Sequence, residues 1–383
     1  MANSEKQTIV VIGAGIIGVT SALTLLETLP RQKYHILLAS EYFSTDDGPN
    51  PSYATTLSGA HYRPIPATTP QLKYESHLGK RTYKRFKDLA AAHPEFGVEF
   101  MEGIEYVSGE ATSSYRAMLP EYVGTDGFRV LQADEMPEGV EFGARYEAYT
   151  VDPDVYMMHI LRRFKLGGGE ARRMRLKSVK EAFEINGHEK AKIVVNCTGV
   201  GIDDPKSFVI KGRLSGIKLA VVSSFPPSDT ASGSRGQNGQ TCLVSNHCDK
   251  TITQQLADGT WSFLIPRPLN GGTIVGGTKQ PNDWSPVPSL AVREQLLKNA
   301  AKLYPSILNK QGQFDVIRDI VGLRPARQGG MRLELETLPG GNRKIAHAYG
   351  LAGRGVELSW GVAEEVLRLV QTALDDEGLC SKL

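Results

Sequence analysis

Three glycines near the amino terminus have the spacing that cradles a phosphate. In Ile9-Val10-Val11-Ile12-Gly13-Ala14-Gly15-Ile16-Ile17-Gly18, a β-branched run enters a glycine turn and then an apolar helical stretch, Val19 to Leu26. Gly13 permits the tight turn, Gly15 lets backbone approach a pyrophosphate, and Gly18 lets helix and strand pack closely. The unpaired N–H groups of the helix start, with the positive end of its dipole, face the anion. A GxGxxG run alone is weak; here a second apolar strand, His35 to Ala39, completes a βαβ unit. The acid that takes a ribose hydroxyl belongs about 20 residues beyond the glycines, which singles out Glu41, with Ser40 as the lesser candidate.

Three further stretches carry chemistry. Val195-Asn196-Cys197-Thr198-Gly199 reads as a second buried strand running into a glycine turn. Ala54-Thr55-Thr56-Leu57-Ser58-Gly59-Ala60-His61-Tyr62-Arg63 offers small and hydroxylated residues beside which a flat ring can lie, then His61 and Arg63 alternating on one side of an extended segment. Near the carboxyl end, Arg324-Pro325-Ala326-Arg327 precedes His347-Ala348-Tyr349-Gly350-Leu351-Ala352-Gly353-Arg354-Gly355-Val356-Glu357, where glycines again lead into a helix. Backbone donors there suit an electron-rich group.

The elements that must position these residues read as an α/β pattern. Helices are expected from Pro70 to Ala92, from Asp152-Pro153 to about Arg163, from about Ser289 to Leu303, and from Val362 to Leu374. Strands are expected at Phe96 to Val107, Leu219 to Ser223, Thr241 to Val244, Trp261 to Ile265 and Thr273 to Val275. The stretch from about Ser108 to Thr150 has no clear period.

With 383 residues the chain has room for about two domains, and its 40% hydrophobic and 22% charged content is that of a globular protein. A net charge of +2 points to neither nucleic acid nor an anionic membrane. No apolar run approaches a membrane-spanning length, and the first residues do not read as a secretory leader. Four cysteines, Cys197, Cys242, Cys248 and Cys380, make neither a disulfide framework nor a zinc spacing. Ser381-Lys382-Leu383 reads as the address recognised by a peroxisomal import receptor, so a peroxisomal location is expected.

Taken together, Val10 to Gly18, Val195 to Val200, Leu264-Ile265-Pro266, Gly276 to Trp284, Gly322 to Arg327, and His347 to Gly361 resemble the D-amino-acid oxidase and D-aspartate oxidase family, in order and across nearly the whole chain. The resemblance implies a Rossmann-like FAD-binding domain of discontinuous segments (1–107, 152–210 and 316–383) and a substrate domain with a large mixed β-sheet (108–151 and 211–315). It implies non-covalent FAD, and oxidation of a D-amino acid by hydride transfer from Cα to flavin N5, with molecular oxygen as the second substrate. The products are a 2-oxo acid, ammonia and hydrogen peroxide, and no side-chain acid or base is required. For the cofactor it implies Gly13, Ala14, Gly15, Ile16, Ile17, Gly18, Ser40, Glu41, Thr55, Thr56, Ser58, Gly59, Val179, Cys197, Thr198, Gly199, Gly350, Arg354, Gly355, Val356 and Glu357.

For the substrate the resemblance implies Arg327 as the fork that clamps the α-carboxylate, with Arg324 assigned to structure, and the Gly353 carbonyl as acceptor for the ammonium. Family members place a tyrosine before the Ile-Ile-Pro-like segment; this chain has Phe263, which walls a pocket without donating a hydrogen bond. Gly276-Gly277-Thr278-Lys279-Gln280 resembles the pattern for acidic substrates. A second carboxylate in a partly desolvated pocket needs a cation, and Lys279, His61 and Arg63 are the candidates. D-aspartate or D-glutamate is therefore favoured over neutral D-amino acids. An NAD-dependent dehydrogenase, a non-catalytic flavin-binding or peroxisomal interaction protein, and, closer, an L-specific or glycine oxidase are the rivals; the Arg324 to Arg327 and His347 to Gly350 blocks argue against the last, and the sequence leaves a homo-oligomer open.

Overall fold

The computed structural model describes residues 6–48, 50, 52–119, 125–185, 191–210, 237–238, 240–277, 280–281 and 288–380. Lys279, Ser381, Lys382, Leu383 and the expected strand Leu219 to Ser223 lie outside the described residues.

Two sheets organise the chain. The first has six strands in the order Arg332–Thr337, Lys344–Tyr349, Ile193–Asn196, Gln7–Ile12, Tyr34–Ser40 and Glu170–Arg173. All neighbours pair in parallel except the first two, which are antiparallel. Its central strands are apolar on both faces because both faces are covered. Ile9, Val11, Ile36 and Leu38 pack on the helices Ile16–Thr28 and Gly355–Cys380, while Val10, Ile12, Leu37 and Ala39 pack on Val179, Ala182 and Phe183.

The second sheet has eight strands: Val316–Val321, Gln240–Val244, Thr273–Gly276, Trp261–Pro266, Thr251–Gln255, Val98–Val107, Phe142–Val151 and Arg129–Val130. It is mixed, since Thr251–Gln255 runs parallel to Val98–Val107 and the other pairs are antiparallel. Helix Leu290–Leu303 covers one face through Val292, Leu296 and Ala300. On the opposite face Leu243, Ile265, Ile274 and Ile320 meet Leu57 and Phe263.

Strands Val98–Val107 and Val316–Val321 thus hydrogen-bond into the second sheet, although the expected division put both with the nucleotide unit. Each is followed or preceded by a segment of the first layer, so chain order hides the assignment. The stretch without clear period holds the short helix Ala111–Ala117 and the strand Phe142–Val151, which pairs residue for residue with Val98–Val107.

Helix starts follow the local chemistry. The Thr69 hydroxyl accepts from Leu72 N before Pro70, and Asp152 accepts from Asp154 N and Val155 N around Pro153. The last helix is longer than expected and includes Gly355 and Gly361. Gly361 serves packing there, not chain breaking: a Cβ at that position would lie 2.3 Å from the Leu78 carbonyl oxygen of helix Pro70–Ala92.

Candidate functional site

Each fingerprint glycine has a steric reason. Gly13 has φ of 94°, and a Cβ on it would lie 2.5 Å from the Cys197 carbonyl oxygen. A Cβ on Gly18 would lie 1.7 Å from the Gly13 carbonyl oxygen. At Gly15 the backbone is extended and starts helix Ile16–Thr28 without a side-chain cap of its own. Thr55 leans over it: its hydroxyl oxygen accepts from Ile16 N at 3.1 Å, which leaves the hydroxyl hydrogen for an anion above Gly15.

A second helix start meets the first. A Cβ on Gly355 would lie 3.5 Å from Ile16 Cγ2, so the amino ends of Ile16–Thr28 and Gly355–Cys380 converge with the same partial charge. Ala14, Ile17 and Val356 are buried behind them. The turn after Ile193–Asn196 closes the same region. Thr198 Oγ1 donates to Asn196 Oδ1 at 2.8 Å and to the Val200 carbonyl at 2.9 Å, and Gly350 N donates to the Gly199 carbonyl at 3.0 Å. Cys197 is a free thiol, and burial pushes its pKa up to about 12, so it is inert. Cys242 and Cys248 are free thiols as well.

Other expected cofactor residues take mixed places. Ser40 Oγ donates to the Tyr42 carbonyl at 2.8 Å, and Glu41 stays partly exposed at the strand end, 3.6 Å from Arg175. Val179 packs against the strands below this end. Ser58 Oγ donates to the Thr55 carbonyl at 2.8 Å. Gly59 presses on the second sheet, where a Cβ would lie 3.0 Å from Ile265 Cδ1. Thr56 lines a cavity of about 420 Å³ with Phe43, Tyr53, Leu57, Asp154 and Met158, not the helix start. Arg354 and Glu357 satisfy each other through Nε–Oε2 at 3.2 Å and Nη2–Oε1 at 2.6 Å, while Arg354 Nη1 reaches Glu75 at 2.6 Å. Their side chains brace the turn, leaving the backbone from Gly353 to Val356 to face a ligand.

The two arginines of Arg324-Pro325-Ala326-Arg327 meet different surroundings, the expected clamp Arg327 facing an acid and the expected structural Arg324 none among the described residues. Arg327 Nε donates to Asp204 at 2.8 Å, its Nη1 donates to the Gly330 carbonyl at 3.4 Å, and the pair is largely buried. Tyr349 also donates to Asp204 at 2.8 Å. These partners hold the Asp204 carboxyl at about 2, against the desolvation that opposes its charge. Arg327 is therefore engaged in a structural pair. Arg324 instead lies against Gly353, whose Cβ position is 4.0 Å from Arg324 Cδ. Desolvation alone shifts Arg324, pulling its pKa below the ordinary guanidinium value, and no carboxylate offsets it among the described residues. A desolvated cation without counter-charge beside a helix start is a seat for an anion.

His61, Arg63 and Phe263 lie on the sheet face opposite helix Leu290–Leu303. Phe263 packs over Gly276 and Gly277 and has no polar group to offer. Thr251 Oγ1 lies 2.7 Å from His61 Nδ1 and 3.2 Å from the Leu264 carbonyl oxygen. Burial lowers the ring's pKa to about 3. His61 is accordingly neutral and brings no positive charge to a carboxylate. Arg63 Nη1 donates to Glu105 at 3.2 Å and to the Tyr115 hydroxyl at 3.0 Å, and its guanidinium stacks 4.3 Å from the Trp261 ring centroid. Asp204, Glu105 and Trp261 were not singled out from the sequence: a lone acid or aromatic carries no signal until the fold supplies its partner. No group of metal-ligating side chains occurs among the described residues.

Comparison with known proteins places this arrangement. The FAD dependent oxidoreductase family, DAO, matches residues 8–369. The D-aspartate oxidase of Talaromyces thermophilus is 40% identical over 380 residues, covering 94% of each chain. The D-amino-acid oxidase of Schizosaccharomyces pombe is 28% identical, covering 96% of this chain and 97% of its own. Among solved structures, glycine oxidase from Geobacillus kaustophilus superposes with a TM-score of 0.69 at 15% identity, covering 96% and 95% of the two chains.

Proposed function

The chain belongs to the FAD dependent oxidoreductase family of the D-amino-acid and D-aspartate oxidases, and we propose that it oxidises acidic D-amino acids, D-aspartate foremost, to the 2-oxo acid. The observation that carries the amino-acid reading is Arg324, a guanidinium without a counter-charge among the described residues beside Gly353, where two helix starts converge; the acidic preference is supported by the likeness to the D-aspartate oxidase of Talaromyces thermophilus.

The residues present fit FAD. Gly13, Gly15 and Gly18 leave space where side chains would collide, the two helix starts supply N–H donors, and Thr55 keeps a hydroxyl hydrogen for the pyrophosphate. The chemistry that bound FAD would supply is acceptance of a hydride from the substrate Cα and reoxidation by molecular oxygen, with hydrogen peroxide as product. The protein's part is orientation. Arg324 offers two parallel N–H donors to the α-carboxylate, and the Gly353 carbonyl accepts from the ammonium. With both groups fixed, the orientation of the Cα hydrogen is fixed by the configuration of the substrate. The nearby apolar wall of Phe263, Leu57 and Ile265 excludes water from this step. The imino acid released then hydrolyses to 2-oxo acid and ammonia.

A peroxide-coupled screen of D- and L-amino acids with added FAD tests the reading. D-aspartate is expected to give the highest kcat/KM, with no turnover of L-aspartate. If D-alanine or D-valine exceeds D-aspartate by about tenfold, a difference near 1.4 kcal/mol, the acidic preference fails and a neutral-preferring oxidase replaces it.

A further inference from the structure

The geometry points to Arg63 as the seat of the substrate's side-chain carboxylate, held from behind by Glu105. This rests on the acidic-substrate reading above and assigns the residue that enforces it.

Arg63 is held in position on one edge and open on the other. Its Nη1 is engaged by Glu105 and Tyr115, and the Trp261 ring fixes the guanidinium plane. Nε and Nη2 have no hydrogen-bond partner among the described residues, so half of the fork remains for a ligand. The Arg63 side chain is 22% exposed and that of Glu105 is 0% exposed. The carboxylate therefore lies behind the guanidinium, on the sheet, and the open edge faces away from it. A buried ion pair contributes little net stability, and here Glu105 Oε2 is left without a hydrogen-bond partner. Orientation of Arg63 is what the arrangement achieves.

The location suits a dicarboxylic substrate. Trp261 and Phe263 alternate onto one face of the same strand. Phe263 and Leu57 both pack on the cluster of Leu243, Ile265, Ile274 and Ile320, and Leu57 lies against Gly322, two residues before Arg324. Arg63, over Trp261, and the segment that carries Arg324 are thus tied to one sheet face. A neutral D-amino acid leaves Arg63 without its partner; a side-chain carboxylate supplies it. His61 cannot substitute as the cation, because its buried ring is neutral.

The test uses FAD-reconstituted R63Q, R63K and the double variant R63Q/E105Q, which avoids leaving a lone buried carboxylate. The readout is the ratio of kcat/KM for D-aspartate to that for D-alanine, with thermal stabilisation by succinate against propionate as a turnover-free measure. In R63Q and R63Q/E105Q the ratio is expected to fall by at least about 30-fold, the lower end for truncating a buried charge pair, and the excess stabilisation by succinate to vanish. R63K is expected to recover part of both. A wild type that prefers D-aspartate, with the ratio unchanged in both R63Q variants, overturns the assignment to Arg63 alone. A wild type that oxidises D-alanine but not D-aspartate overturns the acidic reading and this inference with it.

Discussion

Arg327 donates to Asp204 at 2.8 Å through its Nε, and this contact gives its charge a partner within the fold. Arg324, three residues earlier, meets no such acid among the described residues. Under the proposed function the first arginine braces the structure and the second is left for the substrate.

That division predicts opposite phenotypes. Arg324→Ala should lower kcat/KM for D-aspartate by about 10²- to 10³-fold, the range for losing a desolvated charge partner, while the thermal midpoint holds or rises. Arg327→Ala should mainly lower the thermal midpoint, because it strands Asp204. Steady-state kinetics and thermal melts on the pair of variants check this.

Asp204 sets an acid limit. Its folded carboxyl sits at about 2, below the usual carboxylate value, because Arg327 and Tyr349 bond its charged form. The stability it contributes is present above the unfolded value near 4 and is lost as pH falls towards 2. Denaturant melts between pH 5 and 2 should show a loss on the order of 2 kcal/mol that Asp204→Asn lacks.

Glu105 acts in the reverse sense. Burial raises its carboxyl to about 7 even with Arg63 beside it. A raised acid favours the folded state below its unfolded value and loses that contribution as pH climbs to the folded value. Between about pH 4.5 and 7 the wild type should therefore lose stability from this site, and Glu105→Gln should flatten that part of the pH profile. Urea melts across the window decide it.

Gly361→Ala should destabilise the fold although alanine is the better helix former. The added methyl would collide with the Leu78 carbonyl and force two helices apart. A cost of about 1–3 kcal/mol is expected for such overpacking, read as a lower thermal midpoint with the D-aspartate to D-alanine selectivity unchanged.

Much of the fold can be read from local chemistry. The first βαβ unit, helix Pro70–Ala92 and the strands around Trp261 announce themselves by period, cap and glycine spacing. Sheet membership does not: Val98–Val107 and Val316–Val321 look like any half-buried strands, and only their partners reveal which layer they join. The same holds at the site. Gly13, Gly15 and Gly18 are legible because backbone sterics act within a few residues. Arg324 and Arg327 are not distinguishable that way, since Asp204 lies more than a hundred positions from either in sequence. Likewise His61 bonds Thr251, which no local pattern connects to it.

The ribbon from Thr55 to Arg63 touches the first helix start at one end and the Glu105–Trp261 wall at the other, with Gly59 pinned to the second sheet between them. Retention of the prosthetic group and choice of side chain therefore share one tether. By thermodynamic reciprocity, any factor by which a dicarboxylate at the far end changes cofactor affinity is the factor by which the cofactor changes affinity for the dicarboxylate. Selection for a new substrate along this ribbon would then alter how firmly the enzyme keeps its flavin.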